Sequence, residues 1–133
     1  VACAAALGVL EVIEKDGLLS KSTALGDHVV NRLRQIASRS NSQPIGDIRN
    51  LGGMIAFELV KSTGTHQPDA EAAKMLCAKA AESGLILLSC GVFGNTIRIL
   101  VPLTAATTIV DEGLDIIEKC LADTGASSRQ AAG

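Results

Sequence analysis

The fold is decided by one strand in the stretch GNTIRILVPLT, residues 94–104. Side chains of a strand alternate between its faces, so Ile97 and Ile99 point one way and Arg98 points the other way. A guanidinium held among aliphatic side chains is costly unless it is paired, and its planar fork suits a carboxylate. The partner of Arg98 is therefore either an acid of this chain or the carboxylate of a bound small molecule.

Four strands and four helices are predicted around this stretch. The arginine strand and a short apolar strand before it form a hairpin candidate, because a glycine-containing turn separates them. Apolar residues at helical spacing, bounded by Gly and Pro, indicate the helices. The predicted strands are residues 45–51, 54–60, 85–89 and 96–101, and the predicted helices are residues 2–15, 18–40, 68–83 and 104–122.

This order of elements predicts an α+β fold, in which helices cover one small, mostly antiparallel sheet. Residues 1–123 are expected to form one domain, since a chain of 133 residues is long enough to bury a core. Residues 124–133 are small and polar, and we expect them to form a flexible tail. The chain begins in mid-helix without Met, so we expect it to be the N-terminally truncated part of a longer protein.

Composition excludes several classes of function. The net charge is −2, and the chain has two Phe but no Trp or Tyr, which argues against a nucleic-acid partner. No apolar run reaches the roughly 20 residues that cross a membrane. The four cysteines form no C-x-x-C pair and lie far from both histidines, so no metal site is predicted. Scattered cysteines are typical of a reducing compartment, and we expect a cytoplasmic protein.

Five blocks of the sequence, in this order, resemble one family. They are VACAAAL (residues 1–7), GDIRNLG (46–52), GLILLSCG (84–91), NTIRILVPL (95–103) and DEGL (111–114). From residue 1 to about residue 121, the chain resembles the class III, pyridoxal-phosphate-dependent aminotransferases. Within that family the likeness is greatest to members that act on 4-aminobutyrate.

The resemblance implies the C-terminal small domain of a fold-type I enzyme whose cofactor, in the full-length protein, is pyridoxal 5'-phosphate. It implies transfer of an amino group from 4-aminobutyrate or a related ω-amino acid to 2-oxoglutarate. It also implies that Arg98 binds the substrate carboxylate, as the family's arginine that receives the α-carboxylate of the amino acid or oxo acid. It also implies that the Schiff-base lysine lies upstream of residue 1. No catalytic or cofactor-binding residue is therefore assigned, and this part alone is expected to bind no cofactor and to be inactive.

The lysines of the chain agree with this interpretation. A Schiff-base lysine is usually desolvated or close to other cations, whereas each lysine of this chain is predicted on a polar helix face or in a loop. The six residues are Lys15, Lys21, Lys61, Lys74, Lys79 and Lys119.

Other roles for the strand and turn residues stay open. Arg98 could instead pair with Glu58 of a neighbouring strand, because structural ion pairs also hold arginines. Arg49 is expected to tie down the bend at Gly52-Gly53 by hydrogen bonds, and Glu58 to be a salt-bridge or rim residue. Phe93, in the turn, is expected to pack at the hairpin end or to line the mouth of the substrate site.

Two alternatives to an enzyme domain also stay open: a free-standing module that binds a small carboxylate, and an oligomerisation domain. The Ala-rich first helix and one face of the sheet would expose an apolar patch, and such patches drive association. We therefore expect a homo-oligomer. The other expected partners are the amino acid and oxo acid substrates of the parent enzyme, with no nucleic acid and no membrane.

Overall fold

A computed structural model describes the backbone of residues 1–131 and the side chains of residues 1–125. The predicted order of elements is confirmed, and with it the α+β class. The helices are α1 (Ala2–Lys15), α2 (Leu18–Ala37), α3 (Ala70–Glu82) and α4 (Thr107–Ala131), and the strands are β1 (Ile45–Leu51), β2 (Met54–Leu59), β3 (Leu88–Cys90) and β4 (Thr96–Leu100).

The four strands form one sheet in the order β1-β2-β4-β3, and every neighbouring pair is antiparallel. The predicted hairpin of β3 and β4 is present, with Leu88 opposite Arg98 and Cys90 opposite Thr96. Because β4 has a neighbour on each side, Arg98 stands inside the sheet and not at its edge.

Helices cover one face of this sheet. Helices α2 and α3 pack directly on the strands, and α4 packs against both helices. Phe57 and Leu59 of β2 and Ile97 of β4 point into this layer and are fully buried. Burial of one side chain of this size contributes about 1.5–3 kcal/mol, so the covered face is the main source of stability in the described chain.

Helix α2 meets the turn between β1 and β2 so closely that only glycine fits. A Cβ on Gly26 would lie 2.0 Å from the carbonyl oxygen of Gly52. Gly52 has φ +53°, a left-handed conformation that favours glycine. The N–H of Gly53 donates a hydrogen bond to Ser22 Oγ at 2.9 Å. The predicted bend at the two glycines is confirmed, and α2 holds it in place.

The strand predicted at residues 85–89 is wrong in its first half. β3 begins only at Leu88 and continues to Cys90, which the sequence analysis placed in the turn. The Leu85 N–H donates a hydrogen bond to the carbonyl oxygen of Ala80 at 2.8 Å, and this bond closes the C-terminal end of α3. The backbone that follows the helix is therefore fixed beside α3 and does not join β4 before Leu88.

Helix α4 differs from its prediction at both ends. It begins at Thr107, because a turn in which the Ala105 N–H donates to the Pro102 carbonyl oxygen precedes it. The segment predicted as a flexible tail, residues 124–133, is instead helical as far as Ala131. Residues 132 and 133 lie outside the described residues. The other predicted bounds differ from the structure by at most three residues.

Packing explains why α4 continues beyond its predicted end. Thr124 is buried, and its hydroxyl donates a hydrogen bond to the carbonyl oxygen of Cys120 at 2.8 Å. The Gln43 N–H, from the loop before β1, donates to the carbonyl oxygen of Leu121 at 3.0 Å. A Cβ on Gly125 would lie only 2.8 Å from that same Gln43 nitrogen. The loop closes over the end of α4, and composition alone does not reveal this contact.

Helix α1 has no buried residue, and the element that it contacts is α2. Leu7 and Leu10 are 68% and 61% exposed, so the apolar surface expected of this Ala-rich helix is present. Among residues 1–131, no helix combines the length and the apolar content that a membrane span requires.

Candidate functional site

The candidate site begins with Arg98, on the sheet face opposite the helices. We call this the open face; its register places Arg98 between Ala56 of β2 and Leu88 of β3. The predicted alternation is confirmed, since Ile97 is buried on the covered face. Arg98 is nevertheless exposed, as are its apolar neighbours Leu88 and Leu100, because no described element packs over the open face. The expectation that aliphatic side chains enclose the guanidinium is therefore wrong for the described chain.

The alternative ion pair between Arg98 and Glu58 is not formed. Glu58 instead accepts a hydrogen bond from Arg49 Nη1 at 2.7 Å. Among residues 1–125, no group makes an ion pair or a hydrogen bond with the Arg98 guanidinium. A guanidinium offers five N–H donors, and those of Arg98 stay available to a ligand. A carboxylate from outside the described chain meets no internal competitor there.

Arg49, on the same face, is paired with acids of the chain, in contrast to Arg98. Its Nη1 donates to Asp47 Oδ2 at 2.6 Å as well as to Glu58. The hydrogen bond to Asp47, followed by that to Glu58, raises the pKa of the Arg49 guanidinium above its ordinary value. The predicted salt bridge of Glu58 is confirmed. Arg49 links β1 to β2, however, and Ser22 rather than Arg49 holds the bend.

A cavity of about 430 Å³ opens beside Arg98. It extends from Arg98 and residues 85–88 toward the helix layer, because its lining also includes Val29 of α2 and Leu114 and Ile117 of α4. Its volume is within the range of small-molecule sites. A carboxylate that carries a short aliphatic chain matches this combination of one cation and apolar walls. The aliphatic residues of these walls include Leu85, Leu87, Ile99, Val101, Pro102 and Ile109.

Phe93 does not take the packing role predicted for it. Its side chain is 68% exposed, and its neighbour Val92 is 97% exposed. The turn between β3 and β4 carries both residues out of contact with the core. The other predicted role of Phe93, at the mouth of the substrate site, stays a prediction.

A row of ion pairs that was not predicted from the sequence joins α2 and α4. His28 Nε2 lies 2.6 Å from Asp111 Oδ1, and Arg32 Nη2 lies 2.6 Å from Asp115 Oδ1 and 2.7 Å from Glu118 Oε2. The signal was visible as basic residues at one-turn spacing on α2 and acids at matching spacing on α4. These pairs join two helices and lie on the far side of the core from Arg98.

The described residues do not fit the pyridoxal phosphate that the resemblance implies. Five of the six lysines are exposed and Lys79 is only partly buried, whereas a lysine that forms a Schiff base is desolvated or lies near other cations. In the described part of the chain, no group of His, Cys, Asp and Glu could hold a metal ion. Arg98 is thus the residue around which a binding site can be argued.

Comparison with known proteins gives the family. The family model for aminotransferase class-III matches residues 1–121. The 5-aminovalerate aminotransferase DavT of Pseudomonas putida is 52% identical over 123 residues, which are 92% of this chain and 28% of that protein. The 4-aminobutyrate aminotransferase GabT of Escherichia coli is 45% identical over 120 residues, which are 90% of this chain and 28% of that protein. The chain thus spans about 28% of the length of these relatives.

The fold agrees with the sequence. A solved aminotransferase from Vibrio fluvialis, in its PMP-bound form, matches with a TM-score of 0.78 and 28% identity over 93% of this chain and 27% of that one. The residues matched by the family include all four strands and therefore the whole frame of Arg98. The chain belongs to the class III aminotransferase family.

Proposed function

We propose that residues 1–123 are the C-terminal small domain of a pyridoxal-phosphate-dependent aminotransferase and that Arg98 binds the substrate carboxylate. The reaction moves an amino group from 4-aminobutyrate or a related ω-amino acid, such as 5-aminovalerate, to 2-oxoglutarate. The family and the names of its relatives support this substrate class. We place the enzyme in the cytoplasm, in keeping with its four free thiols.

The unpaired guanidinium of Arg98 is the observation that carries the proposal. Two arginines stand on the open face, and both acids near them, Asp47 and Glu58, bind to Arg49. An arginine that served only to stabilise the sheet would gain from one of those acids. Arg98 instead stays available beside a cavity with apolar walls.

The substrates share the group that Arg98 would recognise. Each carries a carboxylate, which an arginine can grip through two parallel hydrogen bonds. This grip fixes the orientation of the substrate as well as its position, and orientation is a large part of catalysis. No step at that amino group is assigned to this chain, because its described residues do not fit the cofactor.

The 133-residue chain on its own is expected to have no aminotransferase activity. Its lysines lie in solvated settings, and the chain corresponds to 28% of the length of the relatives. The other walls of the substrate site would then come from the rest of the enzyme.

Replacing Arg98 in the full-length enzyme tests the proposal. Arg98→Lys keeps the charge but loses the two-pronged grip, and it should cost about 2–4 kcal/mol in substrate capture. That cost corresponds to a fall in kcat/KM of about 30-fold to about 900-fold. Arg34→Lys, on the exposed surface of α2, is the matched control and should change kcat/KM by less than about twofold. Unchanged kcat/KM of Arg98→Lys for both the amino acid and the oxo acid refutes the assignment.

The exposed apolar surfaces favour association as a second property. Leu51 and Leu100 on the open face are 78% and 64% exposed, and α1 has no buried residue. Exposed apolar surface of this kind favours association. We propose that the 133-residue chain forms homo-oligomers in solution. Light scattering that reports a monomer mass at every concentration contradicts this proposal.

A further inference from the structure

Arg49 and Arg98 are neighbours across a single small residue. The sheet register places Arg49 opposite Ala56, and Ala56 opposite Arg98. All three side chains lie on the open face, where directly opposed Cβ atoms are about 4.5–5.5 Å apart. The methyl group of Ala56 is too short to separate the two guanidinium groups that flank it.

Glu58 stands within reach of both arginines. Glu58 lies two residues from Ala56 on β2 and on the same face. Because Ala56 is opposite Arg98 and Glu58 is opposite Thr96, Glu58 is the diagonal neighbour of Arg98. Diagonal neighbours in an antiparallel sheet are close enough for long side chains to meet. Glu58 nevertheless pairs with Arg49, through an Oε1 to Nη1 distance of 2.7 Å. One carboxylate therefore has two possible cations and is bound to one of them.

Because Glu58 pairs with Arg49, the acids and cations of the open face are unevenly paired. Arg49 binds Glu58 and also Asp47, at 2.6 Å, so two acids are gathered on one cation. The side chain of Glu58 is 34% exposed, and a carboxylate in that setting gains from any cation within reach. Without Arg49, the neighbouring cation for Glu58 is Arg98. An internal carboxylate would then occupy the donors that a substrate carboxylate needs.

We propose that Arg49 is a positioning residue, which holds Glu58 away from Arg98 and so keeps Arg98 open to the carboxylate of the substrate. This inference rests on the proposed function, in which Arg98 is the carboxylate site. It explains why two acids gather on the arginine farther from the cavity, which Arg98 lines and Arg49 does not. Arg49 touches neither substrate nor cofactor in this account and acts only through Glu58.

The test compares three variants of the full-length enzyme with the wild type: Arg49→Gln, the double variant Arg49→Gln/Glu58→Gln, and Arg98→Gln. Steady-state kinetics in which 2-oxoglutarate is varied at saturating 4-aminobutyrate give KM for 2-oxoglutarate and kcat separately. Arg49→Gln frees the Glu58 carboxylate to compete at Arg98, and it should raise KM about three- to fivefold, the effect of a partly exposed ion pair. Its kcat should change by less than about twofold, because the bound substrate is held as before.

The double variant distinguishes competition from loss of structure. It lacks the pair between Arg49 and Glu58, as Arg49→Gln does, but it has no carboxylate to place on Arg98. KM should therefore return to within about twofold of the wild type. A double variant with a KM as high as that of Arg49→Gln overturns the inference, because lost sheet stability then explains both. An unchanged KM in Arg49→Gln overturns it as well.

Arg98→Gln separates this inference from the proposed function. If Arg98→Gln leaves KM unchanged, Arg98 is not the carboxylate site, and both proposals fail. If Arg98→Gln raises KM and Arg49→Gln does not, only the role of Arg49 fails. If all three variants behave as stated, Arg49 keeps Arg98 open.

Discussion

The two faces of the sheet differ in almost every respect, although the same strands build both. On the covered face, Phe57, Ile97 and their neighbours are buried under α2 and α3. On the open face, Leu100 is 64% exposed, and Arg98 is exposed as well. Because strand side chains alternate, each strand contributes to the core with one set of residues, and the proposed binding residue Arg98 belongs to the other set.

This difference separates two kinds of mutation. A change on the covered face should act on the free energy of unfolding. A change on the open face should affect stability little and, under the proposed function, should act on ligand binding. The two arginines repeat this division on a smaller scale, because Arg49 binds the acids of the chain and Arg98 binds none of the described groups.

The largest effect is expected from Phe57→Ala on the covered face. Phe57 is fully buried, and truncation of such a side chain costs about 3–5 kcal/mol through lost burial and the cavity left behind. Leu100→Ala, on the open face, is the matched control and should change the free energy of unfolding by less than about 0.5 kcal/mol. Urea denaturation measures both. Equal losses would show that the open face is covered after all.

The next effect is expected where α2 touches the sheet. Gly26→Ala would place a Cβ 2.0 Å from the Gly52 carbonyl oxygen, so the helix must shift. Overpacking of this kind costs about 1–3 kcal/mol. Gly8→Ala, on exposed α1, has no atom within 4 Å of the new Cβ and should stabilise the helix by about 0.5–1 kcal/mol. Urea denaturation should show a lower free energy of unfolding for Gly26→Ala and a higher one for Gly8→Ala. An unchanged free energy of unfolding in Gly26→Ala contradicts the close contact.

A smaller effect is expected from the ion pairs between α2 and α4. Glu118, whose side chain is 17% exposed, pairs with Arg32 and Arg39. Glu118→Gln should cost about 1 kcal/mol, and added salt should reduce this loss because it screens the pairs. Glu112→Gln, at an exposed position on α4, is the control and should cost less than about 0.3 kcal/mol. A loss at Glu118 that salt does not change would mean that charge is not its cause.

The smallest effect concerns the Cys77 thiol. Burial raises the pKa of Cys77, and a backbone hydrogen bond at Ser89 opposes this shift. A raised pKa in the folded state stabilises the protein fully below the unfolded thiol pKa of about 8.5, and this contribution is lost as pH rises through the folded value. Between pH 7 and about pH 10, the melting temperature should therefore fall less in Cys77→Ala than in the wild type.

Cys3→Ala, on exposed α1, is the control for this pH dependence. The melting temperature of Cys3→Ala should fall with rising pH as much as that of the wild type. If the melting temperature falls equally with pH in the wild type and in Cys77→Ala, the Cys77 thiol is not desolvated on folding.

Most of the fold could be predicted because its signals are local. Alternation placed Ile97 and Arg98 on opposite faces, and the two glycines after β1 marked the turn. The errors arose where a distant contact decides the structure. The hydrogen bond from Leu85 to the end of α3 removes half of a predicted strand, and the loop at Gln43 extends α4 beyond the point where its composition predicts an end.

The candidate site could be predicted only in part, for the same reason. An arginine in an apolar strand can be recognised from the sequence, so Arg98 could be singled out. The sequence does not show which arginine pairs with Glu58. Glu58 lies near two arginines in the sheet, and only the register and the distance from Glu58 Oε1 to Arg49 Nη1 show that it pairs with Arg49. The exposure of Arg98 was also missed, because the strand pattern does not show that the described helices cover only one face.

A crystal structure of the full-length enzyme with bound glutarate tests the central claim most directly. The account predicts that the Arg98 guanidinium donates two hydrogen bonds to one glutarate carboxylate, at about 2.7–2.9 Å. It also predicts that Glu58 remains on Arg49 in that complex. A glutarate carboxylate bound elsewhere, with Arg98 paired to a carboxylate of the protein itself, would contradict the account.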